Sequence, residues 1–185
     1  QSIESLLSKK STKKSVIYAI KSLKLSFPNY INYIIKPNLS NTEKMCLAAN
    51  LSGKAISISK TTAPHALSYP FTAHFGINHG HAVSLTLNDF LKFNYKNISY
   101  SDCNFDLNER YKILFRVTKT KNINELDLFI KKIKDEARLE NNYKKLGINI
   151  NKSYPLILKG VNLLKLSNNP VKLKVSDLKS IFKIK

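Results

Sequence analysis

Apolar residues recur at intervals of three and four positions along most of this 185-residue chain, and this spacing constrains its fold more than any other feature. Val16, Ala19 and Leu23, for example, fall on one face of a helix, and Ser11-Thr12 supplies its N-cap. No two segments show the strict alternation of apolar and polar residues that is typical of strands with one solvated face. The sequence therefore predicts an all-α fold.

Prolines, glycines and capping residues predict where the helices begin and end. Pro28 is expected to end the first long helix, so that the residues after it form a separate short helix. The next helix is expected to begin at Asn41 or Thr42 and to use Gly53 for close packing against a neighbour. Its predicted buried stripe consists of Met45, Leu47, Ala48 and Leu51. Residues 153–166 are predicted to form one further short helix.

Length and composition favour one ordinary domain, residues 1–185, because the chain is long enough to bury a core and 43% of its residues are hydrophobic. Lys, Asn or Ser residues interrupt the apolar runs, so no segment is predicted to span a membrane. The chain begins at Gln1, inside a helical pattern and without Met. We therefore expect it to be part of a longer protein.

The formal net charge of +19 raises the alternative of a basic helical module that binds nucleic acid. The lysines are spread along the whole chain, however, and the arginines are Arg110, Arg116 and Arg138. Proteins that read nucleic acids usually favour arginine and concentrate their charge on one element. The pattern favours a solvated basic surface and no nucleic-acid partner.

Cys46 and Cys103 lack the close spacing of a metal-binding or redox pair. We interpret them as reduced thiols, which are typical of proteins in a reducing compartment. The sequence shows no recognisable signal peptide. A cytoplasmic localisation is therefore predicted.

All four histidines of the chain lie in residues 65–81, which read HALSYPFTAHFGINHGH. His65 and His79 are fourteen positions apart, so the chain must bend before their rings can meet. The bend is expected at Pro70 or Gly76. Imidazole nitrogen is a ligand for Zn²⁺ and Fe²⁺, and a catalytic metal keeps one coordination position open for substrate. The stretch therefore indicates a metal site, with four ordinary core and surface histidines as the alternative.

The histidine-rich stretch resembles the metal-binding segment of the iron-containing (group III) alcohol dehydrogenases, members of the dehydroquinate-synthase-like superfamily. The family pattern of a ligand His, a turn rich in small residues and an H-G-x-A motif is matched by TTAPHALSYPFTAHFGINHGHAVSLTL. Further resemblance extends over MCLAANLSGKAI and SNNPVKLKVSDLKSIF. It covers essentially the whole chain, but only the helical C-terminal half of a complete enzyme. The branch that it resembles most includes phosphonoacetaldehyde reductases.

The resemblance implies that His65 and His79 are ligands of a divalent metal, Fe²⁺ or alternatively Zn²⁺. Residues 1–4 resemble the family's D-x-x-x-H-x-x-E helix from its His onward, so Gln1 stands at the position of a further ligand His. The Asp ligand of that motif would precede Gln1. Glutamine is a poor ligand for these metals, and we expect Gln1 to bind substrate instead. Tyr69 stands where many members have a further active-site His and is also expected to bind substrate, with a packed tyrosine as the alternative.

His81 follows a predicted ligand by two positions and is the predicted catalytic residue, as a proton relay or an anion contact. A supporting or surface imidazole is the alternative for His81. His74 is interpreted as structural, because the family mostly has apolar or aromatic residues at that position.

The implied enzyme is an NAD(P)-dependent alcohol dehydrogenase or aldehyde reductase, whose metal polarises the alcohol or aldehyde oxygen for hydride transfer. An upstream nucleotide-binding domain, absent from this chain, would hold the dinucleotide. Residues 1–185 alone are predicted to be inactive, because they contain no glycine-rich phosphate loop. The reductase branch points to a phosphonate-bearing aldehyde, and a homodimer is left open. The alternative function, motivated by Gln1, is a degenerate helical interaction domain that has lost the metal.

Overall fold

The structure is a computed structural model that describes residues 1–184 as ten α-helices with a 3-10 turn at Ile98–Tyr100. The helices are α1 (Ser2–Leu7), α2 (Lys13–Ile35), α3 (Leu39–Ser59), α4 (Ala63–Phe75), α5 (His79–Lys96), α6 (Leu107–Thr118), α7 (Ile123–Glu136), α8 (Ile150–Lys159), α9 (Leu163–Leu166) and α10 (Val175–Ile181). Over these residues β-structure is limited to one bridge between Ser101 and Val171. The all-α prediction is confirmed. None of the helices described is both long enough and apolar enough to cross a membrane.

Two apolar clusters form the core, and α5 takes part in both. The first cluster packs α1 and α2 against α6 and α7 around buried residues such as Leu6 and Tyr111. The second packs α4 against α8 and α10 around Phe71. Helix α5 contributes Leu91 to the first cluster and Phe90 to the second. Because α5 is anchored on both sides, its first residues are held in place relative to α4.

Helix α1 is buried on every side, including its polar residues. The Ser2 hydroxyl donates to Ser22 Oγ of α2 at 2.8 Å, and Ser22 donates onward to the Ala48 carbonyl of α3 at 2.8 Å. The hydroxyls of Ser5 and Ser59 lie 2.8 Å apart. Buried polar groups are tolerated when they find such partners, so a six-residue helix can occupy the interior between α2 and α3.

Helix α2 continues through Pro28, so the prediction of two helices here is wrong. Thr12 and Ser15 form a capping box at its start, as the Ser11-Thr12 signal indicated. Proline in a helix interior costs about 3 kcal/mol or more, because it removes one backbone donor and crowds the preceding turn. The packing of α2 along α3 maintains the helix despite that cost.

Helix α3 begins earlier than predicted and buries a different face. Its N-cap is Asn38, which exchanges side-chain hydrogen bonds with Asn41 across the first turn. Of the predicted stripe, Ala48 is buried and Met45 and Leu51 are half-buried, but the prediction is wrong for Leu47, which is 52% exposed. The buried face consists mainly of small residues, Ala48, Ser52, Ala55 and Ser59. Gly53 is exposed, and nothing lies within 4 Å of the position that a Cβ would occupy, so its predicted packing role is also wrong.

Residues 153–166 form parts of two helices instead of one, because the chain turns at Gly160 and packs against α4. A Cβ at Gly160 would lie only 2.9 Å from the Cβ of Pro70. The backbone N–H of Asn162 donates to the Ala66 carbonyl at 3.2 Å. That carbonyl lies four residues before Pro70, which has no N–H to offer it. The loop therefore supplies the donor that the proline removes from α4.

The side chain of Asn168 joins three parts of the fold that are distant in sequence. Its amide nitrogen lies 2.8 Å from Ser8 Oγ, 3.0 Å from the Ser59 carbonyl and 2.8 Å from the Thr61 carbonyl. Its Oδ1 accepts from the backbone N–H of Lys10 at 3.2 Å. These bonds tie the turn after α9 to the α1–α2 connection and to the end of α3.

Asn168→Ala is expected to lower the free energy of unfolding by about 2 kcal/mol or more, since each buried polar group left unpaired costs about 1–3 kcal/mol. Urea titration followed by far-UV circular dichroism measures this change. Asn151→Ala, at an exposed position of α8, is the matched control and should change stability by less than about 0.5 kcal/mol. Equal losses in the two variants would contradict the role assigned to Asn168.

Candidate functional site

The turn between α4 and α5 brings the rings of His65 and His79 together. Helix α4 ends at Gly76, whose φ of 65° is the left-handed conformation that favours glycine at this position. Pro70 lies inside α4 without ending it, so the bend occurs at Gly76. The ring centroids of the two histidines are 5.2 Å apart, with the rings edge to face.

The buried carboxylate of Glu4 holds the ring of His65. One oxygen, Oε2, accepts from His65 Nδ1. The other, Oε1, accepts from the Thr62 N–H at 3.0 Å, the Thr62 hydroxyl at 2.9 Å and the His65 N–H at 3.3 Å. Burial by itself raises the pKa of the Glu4 carboxyl, but the hydrogen bond and the charge of His65 outweigh it and lower the pKa to about 2. The carboxylate is therefore ionised. In the neutral form of His65, whose single ring proton lies on Nδ1 and is donated to Glu4, Nε2 is the free ring nitrogen.

Ser68 sets the orientation of His79 in a similar way. Its hydroxyl donates to the His65 carbonyl at 2.8 Å, and Oγ lies 3.3 Å from His79 Nδ1. With its proton directed to the carbonyl, Ser68 can only accept from His79, which leaves Nε2 of that ring free. Partial desolvation of the ring lowers the pKa of His79, and the charges of His65 and Lys165 lower it further. The neutral imidazole, which is the form that binds metals, is thereby favoured.

These two histidines fit the requirements for ligands of a divalent metal. Both rings have Nε2 free, and the other nitrogen of His65 donates to a carboxylate, an arrangement that is typical of metal-binding histidines. Across residues 1–184 no group of three or more His, Cys, Asp and Glu side chains is arranged to hold a metal. The described residues therefore offer two ligands.

Tyr69 lies beside the histidine pair and contacts Lys165. Its ring centroid is 5.8 Å from that of His79. The Lys165 Nζ lies 4.8 Å from the Tyr69 ring centroid and donates to the Tyr69 hydroxyl. Tyr69 is 37% exposed, so its outer edge is open to a ligand.

Gln1 lies at a groove of about 500 Å³ between α2, α3, α5 and α7. Its amide oxygen accepts from the Ser52 hydroxyl at 3.0 Å. Gly80, the residue after His79, lines the same groove. Because the amide oxygen of Gln1 already accepts from Ser52, the amide nitrogen is the group of this side chain that is left to contact a ligand.

The remaining histidines lie away from the His65–His79 pair. His81 is two residues after His79 on α5, which places the two side chains about 200° apart around the helix axis. Its Nε2 lies 2.6 Å from the Glu140 carbonyl and must carry the proton of that hydrogen bond, so Nδ1 is the free nitrogen. His74 is exposed in the last turn of α4 and contacts the Phe75 ring.

Two residues of this site, Glu4 and Lys165, have contacts that the sequence analysis does not predict. Glu4 is part of the D-x-x-x-H-x-x-E resemblance, and that motif was the available signal for its pairing with His65. Lys165 carries no comparable signal, because it is one of many lysines and lies 96 positions from Tyr69.

Comparison with known proteins gives a consistent result. The Fe-containing alcohol dehydrogenase family, C-terminal, matches residues 2–185. A phosphonoacetaldehyde reductase of Streptomyces viridochromogenes is 43% identical over 56 residues, which cover 30% of this chain and 14% of that protein.

Solved structures share the fold. Sulfoacetaldehyde reductase from Bifidobacterium kashiwanohense, in complex with NAD⁺, superposes with a TM-score of 0.84 at 26% identity, over 98% of this chain and 46% of that chain. The archaeal halo-thermophilic Red Sea brine pool alcohol dehydrogenase ADH/D1 superposes with a TM-score of 0.86 at 20% identity, over 98% of this chain and 47% of that chain. This chain thus spans less than half the length of these structures.

The family prediction, with its resemblance to the reductase branch, is confirmed. Because the family match extends over nearly every residue, the chain belongs to the iron-containing alcohol dehydrogenase family and corresponds to the C-terminal part of its members.

Proposed function

We propose that the protein is a cytoplasmic NAD(P)-dependent oxidoreductase that interconverts small alcohols and aldehydes at a metal held partly by this domain. The observation that carries the proposal is the His65–His79 pair, with both Nε2 atoms free and Glu4 behind His65. An upstream domain is proposed to hold the dinucleotide, in keeping with the NAD⁺ complex of the sulfoacetaldehyde reductase. The exposed and half-buried free thiols of Cys46 and Cys103 are consistent with a reducing compartment.

We assign a separate role at the site to each of these residues of the chain. His65 and His79 hold the metal, for which the family name favours iron, and Glu4 keeps His65 in the tautomer that ligates. The bound metal supplies Lewis-acid polarisation of the substrate oxygen. Tyr69 and Gln1 are proposed to contact substrate, and His81 to relay protons through Nδ1, the nitrogen that Glu140 leaves free.

We propose a short aldehyde with an anionic head group as the substrate. The phosphonoacetaldehyde reductase and the sulfoacetaldehyde reductase that resemble this chain are both named for such aldehydes.

The second candidate function is a helical interaction domain that has lost the metal, which the glutamine at position 1 favours. The His65–His79 pair supports the enzyme instead, because both rings keep one nitrogen free of hydrogen bonds to the protein.

His79→Ala in the full-length protein is expected to abolish stoichiometric binding of iron or zinc, because one of the proposed ligands is removed. Metal content after gel filtration, determined by inductively coupled plasma mass spectrometry, provides the test. His74→Ala removes an exposed histidine from the same stretch and should retain the metal. A wild-type protein without metal would instead favour the interaction domain.

Glu4→Gln is expected to weaken metal binding by about 10- to 100-fold, because the carboxylate that orients a ligating histidine is lost while its shape is kept. Competition between the full-length protein and a chelator gives the affinity, and circular dichroism verifies the fold. Glu43→Gln, at an exposed position of α3, removes the same charge without touching the site. Identical affinities in these two variants would refute the role of Glu4.

Full-length enzyme is expected to reduce phosphonoacetaldehyde with NADH or NADPH, whereas residues 1–185 alone should oxidise no cofactor. His81→Ala should lower kcat/KM by about 100-fold or more if the imidazole relays protons, while His74→Ala should leave it unchanged. Absorbance of the reduced nicotinamide follows both reactions. Unchanged kinetics in His81→Ala would assign this ring the supporting role that its bond to the Glu140 carbonyl also allows.

A further inference from the structure

We propose that Lys165 binds the anionic group of the substrate and thereby selects phosphonate- or sulfonate-bearing aldehydes over neutral ones. This inference rests on the proposed function and names the specificity-determining residue of that same site. The sequence predicts His81 as a proton relay or an anion contact, and its Nε2 donates to the Glu140 carbonyl.

The geometry places the ammonium group next to the histidine pair. Lys165 Nζ lies 4.8 Å from the centre of the Tyr69 ring, and that ring lies 5.8 Å from the ring of His79. Only one side chain therefore separates the cation from a proposed metal ligand. A small molecule that lies across the exposed edge of Tyr69 can therefore contact Lys165 on one side and His79 on the other.

The backbone holds Lys165 in this position through α4, the helix that also carries His65. Asn162 donates its N–H to the Ala66 carbonyl of α4 at 3.2 Å. The side chain of the same asparagine accepts from the Lys165 N–H at 3.0 Å and so caps α9. The close contact of Gly160 with Pro70 fixes the start of the loop. Pro70, the residue after Tyr69, therefore helps to determine the position of Lys165, because the loop before α9 packs against it.

The charge of Lys165 is available to a ligand. Among the side chains of residues 1–184, Lys165 forms no ion pair with a carboxylate, whereas Lys9 pairs with Asp102 at 2.7 Å. Its hydrogen-bond partner is the hydroxyl of Tyr69, which does not neutralise it. Lysine is a compact point charge well suited to a tetrahedral oxyanion, and hydrogen bonds between charged partners are stronger than neutral ones. The other three residues of α9 are leucines, so Lys165 is the charge that this helix offers to the site.

The test compares two substrates and two lysine variants of the full-length enzyme. Lys165→Met is expected to lower kcat/KM for phosphonoacetaldehyde by about 10- to 100-fold, mainly through KM, because the charge-assisted hydrogen bond to the phosphonate is lost. The kcat/KM for propanal, which is neutral, should fall by a much smaller factor, so that the preference for the anionic aldehyde is lost. Lys159→Met removes an exposed charge near the end of α8 and should leave both substrates unaffected.

Binding of methylphosphonate to the full-length enzyme gives a readout that needs no turnover. Calorimetry should show a Kd weakened by the same factor in Lys165→Met and unchanged in Lys159→Met. Equal losses on both aldehydes, or an unaltered methylphosphonate Kd, would overturn the inference while leaving the dehydrogenase proposal intact. A wild-type enzyme that reduces no aldehyde would overturn both.

Discussion

The buried carboxylate of Glu4 is the interaction on which the rest of the site depends. Removing an ionised carboxylate from water costs several kcal/mol and is tolerated only when its lone pairs are fully hydrogen-bonded. Here every donor comes from the start of α4, from Thr62 and His65. A six-residue helix such as α1 is too short to be stable alone, so its place in the interior is determined by these bonds and by apolar burial. The same bonds orient the His65 ring, and fold and site therefore share one constraint.

The prolines show how tertiary contacts change the meaning of a local signal. Pro28, Pro70 and Pro155 all lie inside helices. At Pro70 the carbonyl that loses its helical donor gains the N–H of Asn162, so what would be a defect in an isolated helix becomes a docking point for a loop. Because Asn162 donates to the Ala66 carbonyl, the connection from α8 to α9 packs across α4. This packing explains how Lys165 reaches Tyr69.

The electrostatics of the site differ from those of the surface. The net charge of +19 arises from lysines spread over the whole chain, several of which pair with carboxylates at exposed positions such as Glu109. Such surface pairs contribute little to stability. Beside the histidine pair, one buried carboxylate and one cation stacked on an aromatic ring are instead positioned by hydrogen bonds. The placement of these two charges, and not their number, distinguishes the site from the rest of a basic protein.

The sequence by itself determined the helical class, the segment that contains the histidine pair and the family. These follow from spacing along the chain, since helical periodicity, the cap at Thr12 and the H-G-x-A motif are local properties. Only the tertiary structure decided that α3 buries small residues, that Pro28 does not break α2 and that Lys165 stands beside Tyr69. Each of these outcomes depends on contacts between residues far apart in sequence, where packing against a neighbour outweighs local propensity. Local sequence patterns do not predict such contacts, because their free energy depends on how the helices pack against one another.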